Sequence, residues 1–190
     1  MISSLAPFEN HPDIMAEITS PRSFQVILPR PSEVAPDTPA DDPGELFRQA
    51  LEADGIFYSA ILLETDPSSE ESVSAWMTAA LRASPSPDPT EAVTQIHATL
   101  RSEGLAVRAP TFLDLPCGPA VIAMDDEALA SPDALPGGAT LARLNAFVPV
   151  RGTRATIHFR MTTPNLVRSQ DFVDVALVML QTLRITGGRS

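Results

Sequence analysis

Lysine is absent, and all thirteen basic residues are arginine. Against twenty-four acids they leave a formal net charge of −11. That balance argues against general nucleic-acid binding, which needs a basic field across a whole surface to neutralise phosphates. Cysteine occurs once, at Cys117, which excludes an intramolecular disulfide and a paired-cysteine metal or redox motif. No run of about 18 apolar residues occurs, so no membrane span is expected. The opening stretch MISSLAPFENHPDIMAEI lacks a basic start and a continuous apolar segment, and it carries Glu9, Asp13 and Glu17. It does not read as a secretory signal, and with the lone cysteine it sets a cytoplasmic expectation. Glycine is scarce beside nineteen prolines, which points to long, stiffened loops.

What is present is enough for a core. Apolar residues make up 44% of 190 positions, sufficient for one domain. Residues 1–22 have no clear period and are set apart as an N-terminal extension, either a tail or a helix around Pro12–Ile18. Residues 23–190 are read as a single domain. Charge is unevenly distributed. Residues 33–91 hold thirteen acids and two bases, whereas residues 139–190 hold seven arginines and two acids. Such asymmetry favours a charged partner.

Periodicity predicts the elements. SFQVILP (23–29) reads as a strand. Asp42-Pro43 opens a helix that Gly55 ends. GIFYSAILLE (55–64) reads as a strand buried on both faces. In DPSSEESVSAWMTAALRA (66–83), Val73, Trp76, Met77, Ala80 and Leu81 share a helical face, with a short strand as the alternative. Thr90 is expected to cap a helix over 90–104 that Gly104 closes. Residues 105–115 read as a strand interrupted by proline, 116–124 as a turn and strand, and 125–138 as loop. ATLARLNAFVPV (139–150) and RATIHFRMTT (154–163) form a β-hairpin around Arg151-Gly152-Thr153. A final helix over 166–185, capped by Asn165 or a polar neighbour, buries Phe172, Ala176, Met179 and Leu183. Val178 interrupts its polar face and leaves self-association open. Antiparallel strands with helices make this an α+β chain.

Few residues suggest chemistry. The sequence contains no G-x-S-x-G, Walker, HExxH or dinucleotide motif. No catalytic set and no cofactor or metal site is expected, so the chain is read as non-enzymatic. His11 sits among acids whose spacing matches no ligand pattern. His97 reads as a structural helix residue, Cys117 as a small turn residue, and Asp125-Asp126-Glu127 as a solvated acidic turn. In the second hairpin strand Arg154, Thr156, His158, Arg160 and Thr162 alternate with apolar residues. Arg151, Arg154, His158 and Arg160 are the candidate partner-binding residues, because guanidinium forks bind carboxylates in pairs. Edge protection of an exposed strand, or pairing with the chain's own acids, explains the same pattern.

The stretches PCGPAVIAM, FVPVRGTRATIHFRMTTPN and DFVDVALVMLQTLRI, together with FYSAILLE, resemble a family of uncharacterised actinobacterial proteins. In these a Pro-x-Gly-Pro-like turn precedes a hairpin, a Thr-Pro step and a last helix. The wider resemblance is to the PsbP-like α/β/α sandwich, which includes LpqN-type lipoproteins. It implies an antiparallel sheet flanked by helices and a binding or assembly role, with no catalytic residues to carry over. The resulting expectation is a protein-binding adaptor or chaperone, an accessory factor of a type VII-like secretion or toxin system. A small-molecule-binding protein or enzyme with a pocket between sheet and helices, and a toxin-neutralising immunity protein, are the alternatives.

Overall fold

The computed structural model describes residues 14–19, 21, 24–28, 49, 54–65, 72–104, 108–129 and 139–187. Its strands are β1 (Ile14–Glu17), β2 (Gln25–Leu28), β3 (Ile56–Thr65), β4 (Ser72–Ala83), β5 (Arg108–Leu115), β6 (Gly118–Leu129), β7 (Ala139–Pro149), β8 (Ala155–Thr163) and β9 (Arg184–Gly187). Its helices are α1 (Pro89–Ser102) and α2 (Ser169–Thr182), the latter preceded by a 3-10 turn at Leu166–Arg168. Of the helix predicted between Asp42 and Gly55, only Gln49 and Asp54 are described, and Gln49 is helical. His11 and most of the acidic segment before Asp54 also lie outside the described residues.

Seven strands form one antiparallel sheet in the order β2-β3-β4-β8-β7-β6-β5, and β1 and β9 pair as a separate two-stranded ribbon. Among the described residues the architecture is α+β, with helices α1 and α2 packed against a large antiparallel sheet. The hairpin folds as its pattern predicts. Val150 N–H donates to Ala155 O (2.9 Å) and Thr153 N–H to Val150 O (3.2 Å). Gly152 supplies the positive φ of +73° that this turn requires.

Strand alternation sorts side chains onto two faces. One face carries Tyr58, Ala60 and Leu62; Val73, Ala75, Met77 and Ala79; Ile157, Phe159 and Met161; and Leu144, Ala146 and Val148. All are buried. They form one core with Phe172, Ala176, Met179, Leu180 and Leu183 of the α2 region. The opposite face is covered in part by α1, whose Val93, Ile96 and Leu100 pack on Val121, Ala123 and Phe147.

Several local expectations are corrected. Residues 72–83 form a twelve-residue strand, not a helix. Val73, Ala75, Met77 and Ala79 are all buried, a period of two that a helix cannot satisfy. Pairing with β3 on one side and β8 on the other overrides the helix propensity of its alanines. Strand β3 is not buried throughout: Leu63 is 72% exposed. The N-cap of α1 is Asp88, not Thr90; its side chain accepts the Glu91 N–H at 2.8 Å, and Pro89 fills the first turn. Gly104 follows that helix at φ +62°, as a closing glycine should.

Strand β6 runs on to Leu129, so residues 125–129 are not loop. Asn165 does not cap the last helix with its side chain. Its Oδ1 accepts the Ser74 N–H of β4 (2.8 Å). That helix stops at Thr182, and Arg184–Gly187 turn into β9 against β1. Residues Ile14–Glu17 are accordingly a paired strand, and neither a helix nor a loose tail describes them.

Candidate functional site: a polar network on a sheet face

The polar row of β8 is the entry point. β8 is not an edge strand; it lies between β4 and β7 in the middle of the sheet. Protection of an exposed edge therefore does not account for its arginines. The hairpin register places His158 opposite Phe147, Arg160 opposite Asn145 and Thr162 opposite Arg143. On the other flank Thr78 faces Arg160 and Trp76 faces Thr162. Strand β6 adds Asp125 opposite Arg143.

Asn145, wholly buried, is the hub. Its Oδ1 accepts from His158 Nε2 (3.0 Å) and from Arg160 Nε (3.2 Å), and its Nδ2 donates to Asp125 Oδ2 (3.5 Å). Asp125 Oδ1 accepts from Arg143 Nε at 2.8 Å. Asp125 is buried and ion-paired, which corrects the expectation of a solvated acidic turn. Because Oδ1 of Asn145 takes the Arg160 N–H, it is an acceptor, and His158 must carry its proton on Nε2. The imidazole stacks on Phe147, with ring centroids 4.5 Å apart and planes 8° apart.

His158 is buried, not exposed on the strand. Burial, followed by the positive charges of Arg160 and Arg82, pushes its pKa down to about 3. Native His158 thus stays neutral where an unfolded imidazole, with its ordinary value of 6.5, already takes a proton. The unfolded chain binds more protons between those two values. The stability that comes from keeping His158 neutral is complete above pH 6.5 and is lost as pH falls towards about 3, at about 1.4 kcal/mol per unit. Between pH 6.5 and 5 the wild type is expected to lose about 1.5–2 kcal/mol more than His158→Gln. Urea midpoints at both pH values measure this, and equal losses would mean that native His158 is protonated.

The candidate residues do not form one patch. Arg160 is half-buried in the network, His158 is buried beneath it, and Arg151 and Arg154 are exposed at the β7–β8 turn. Six residues of strand put Arg154 about 20 Å from Arg160. What surrounds Arg160 was not anticipated. Trp76, the single tryptophan, is 41% exposed on this same face. Its Nε1 donates to Ser59 Oγ at 2.9 Å. Ile61 lies directly across β3 from it, and Leu63 follows two residues on along the same face. Asn145 was legible in principle. A four-residue loop at 151–154 fixes the register that sets it opposite Arg160. Trp76 was hidden by the helical reading of its strand.

The other candidates are structural. His97 Nε2 lies 3.1 Å from Pro110 O, and its ring stacks on Phe112. Cys117 is half-buried in the turn before β6, and burial pushes its thiol pKa up, away from the reactive thiolate. Among the described residues no group of three or more His, Cys, Asp or Glu side chains is placed to hold a metal ion. No described helix is long and apolar enough to cross a membrane.

No family profile matches the chain, and no curated protein matches it in sequence. Among solved structures it is similar to LpqN, described as involved in cell envelope biogenesis of Mycobacterium tuberculosis. The identity is 13%, the alignment covers 91% of this chain and 84% of that one, and the TM-score is 0.47.

Proposed function

We propose that this chain is a non-enzymatic, PsbP-like protein-binding adaptor or chaperone, an accessory factor of an actinobacterial type VII-like secretion or toxin system. The lone cysteine suits a cytoplasmic setting for it. The observation that carries the reading is Trp76, held in place by Ser59 on an exposed part of the sheet. Exposed Leu63 lies on one side of it and half-buried Arg160 on the other. Tryptophan and arginine dominate binding energy at protein interfaces, most of all where they are already ordered. The exposed Arg151 and Arg154 at the hairpin turn suit a steering role, guiding an acidic partner in.

The tagged chain is to be recovered from its host and the accompanying protein identified by mass spectrometry, then titrated against variants. Trp76→Ala is expected to weaken binding by about tenfold or more through faster dissociation. Arg154→Glu should slow association, most strongly at low salt, and leave dissociation nearly unchanged. Arg160→Glu should resemble Trp76→Ala. Partner binding unaltered by all three substitutions would remove this reading.

A further inference from the structure

Helix α2 lies on the side of the main sheet away from Trp76, with Phe172, Ala176, Met179 and Leu180 buried in the core. At about 3.6 residues per turn, Asp171, Asp174, Val178 and Gln181 fall together on its outer side. All four are exposed. Val178, 63% exposed, sits in the middle of this otherwise polar stripe. Valine is a poorer helix former than the polar residues common on solvated faces, so local preference does not explain it.

The charges on either side of Val178 differ in sign. Asp171 and Asp174 lie towards the start of the helix, and Arg184 follows two residues after its last residue, Thr182. Leu183 and Ile185 turn inward to the core, so alternation turns Arg184 outward, where it is exposed. Glu17 is its register partner across the ribbon, but among the described residues no ion pair engages Arg184. Asp171 pairs with Arg168 at 3.1 Å, an exposed contact of the kind that contributes least.

Such a stripe complements itself when turned end for end. Asp171 lies about 10 Å before Val178 along the helix, and Arg184 within about 13 Å after it. Asp174 and Gln181 lie about 6 and 5 Å to either side. Two copies packed antiparallel, with a two-fold axis at Val178, set Val178 on the partner's Val178. Asp174 then meets the partner's Gln181, and Asp171 meets the partner's Arg184, each contact occurring twice. A parallel arrangement would set like charge on like charge and align the helix dipoles.

We propose that this chain forms a two-fold symmetric homodimer through the outer face of α2. A net charge of −11 per chain opposes association in general, and on this face an acid of one copy meets a base of the other. The seam is small, so the dimer is weak and concentration-dependent. It leaves the Trp76 surface of each copy open, on the far side of its sheet from the interface.

Sedimentation equilibrium of the full chain at rising concentration is expected to give an average mass climbing from that of one chain towards that of two. Val178→Asp, which sets two carboxylates at the axis, should stay monomeric throughout. Asp171→Arg and Arg184→Glu should each weaken self-association at least about tenfold, because each brings like charges together twice. Mixed in equal amounts, these two variants should associate as the native chain does, since every contact in the mixed pair again joins opposite charges. A native chain with the mass of one copy at every concentration overturns the proposal. A dimer that survives Val178→Asp overturns the interface. A mixture that associates no better than either variant alone overturns the antiparallel pairing.

Discussion

Phe159→Ala is expected to lower the unfolding free energy by about 3–5 kcal/mol. Phe159 is wholly buried on β8, the middle strand of the seven. Its register neighbours are Ala79 on β4 and Ala146 on β7. One large ring therefore sits between two methyl groups, in the same core as Phe172, Ala176 and Met179 from α2. Truncation would leave three alanines in a row across the central strands. Neither flanking residue could extend into the space, so the cavity term adds to the lost transfer energy. A chain of this size loses about 2–4 °C per kcal/mol, which puts the melting point roughly 6–20 °C lower. Denaturant titration should show a lower midpoint at an unchanged slope. Phe159→Leu, which keeps most of the volume, should cost much less. A loss below about 1 kcal/mol for the alanine variant would mean that α2 can settle onto the sheet, and that the helix is less firmly placed than its contacts suggest.

The same row of residues shows what the sequence carried and what it did not. Phe159, Ile157 and Met161 alternate with polar residues over a loop containing glycine, and both the hairpin and the inward set were legible from that alone. Asp88-Pro89 marks the start of α1 by the same local chemistry, although the cap falls two residues before the Thr90 that was expected. Strand β4 was not legible. Val73, Trp76, Met77, Ala80 and Leu81 satisfy a helical stripe, while Val73, Ala75, Met77 and Ala79 satisfy a strand. Local propensity favours the helix in so alanine-rich a segment. Only pairing with β3 and β8, both distant in sequence, decides between them. The polar row was misjudged for a related reason. Alternation says which residues share a face, not whether water reaches it. His158 and Arg160 share a face as expected, but α1 and Phe147 cover one part of it, so His158 is buried. The ion pair of Asp125 with Arg143 had no local signal, because its two members come from strands whose pairing register no tight turn fixes.

The hub of that network makes the sharpest stability test of the site. Asn145→Leu is expected to cost about 2–4 kcal/mol even though it places an apolar group of similar size in a buried position. The loss comes from the partners. His158 Nε2–H loses its acceptor in a buried position, Arg160 loses one contact, and Asp125 loses one donor. The cost therefore belongs to groups left unpaired, and it should shrink when the principal one is removed. His158→Phe supplies that background. A phenyl ring keeps the stack on Phe147 and has no donor to strand. The double variant Asn145→Leu with His158→Phe is expected to be about 1–2 kcal/mol more stable than the two single losses added together. It should also lose the steepened acid sensitivity attributed to His158, because no imidazole remains to take a proton in the unfolded chain. Strictly additive losses would show that the 3.0 Å contact between His158 and Asn145 contributes nothing beyond packing. The buried polar row would then be an ordinary, if costly, stretch of core.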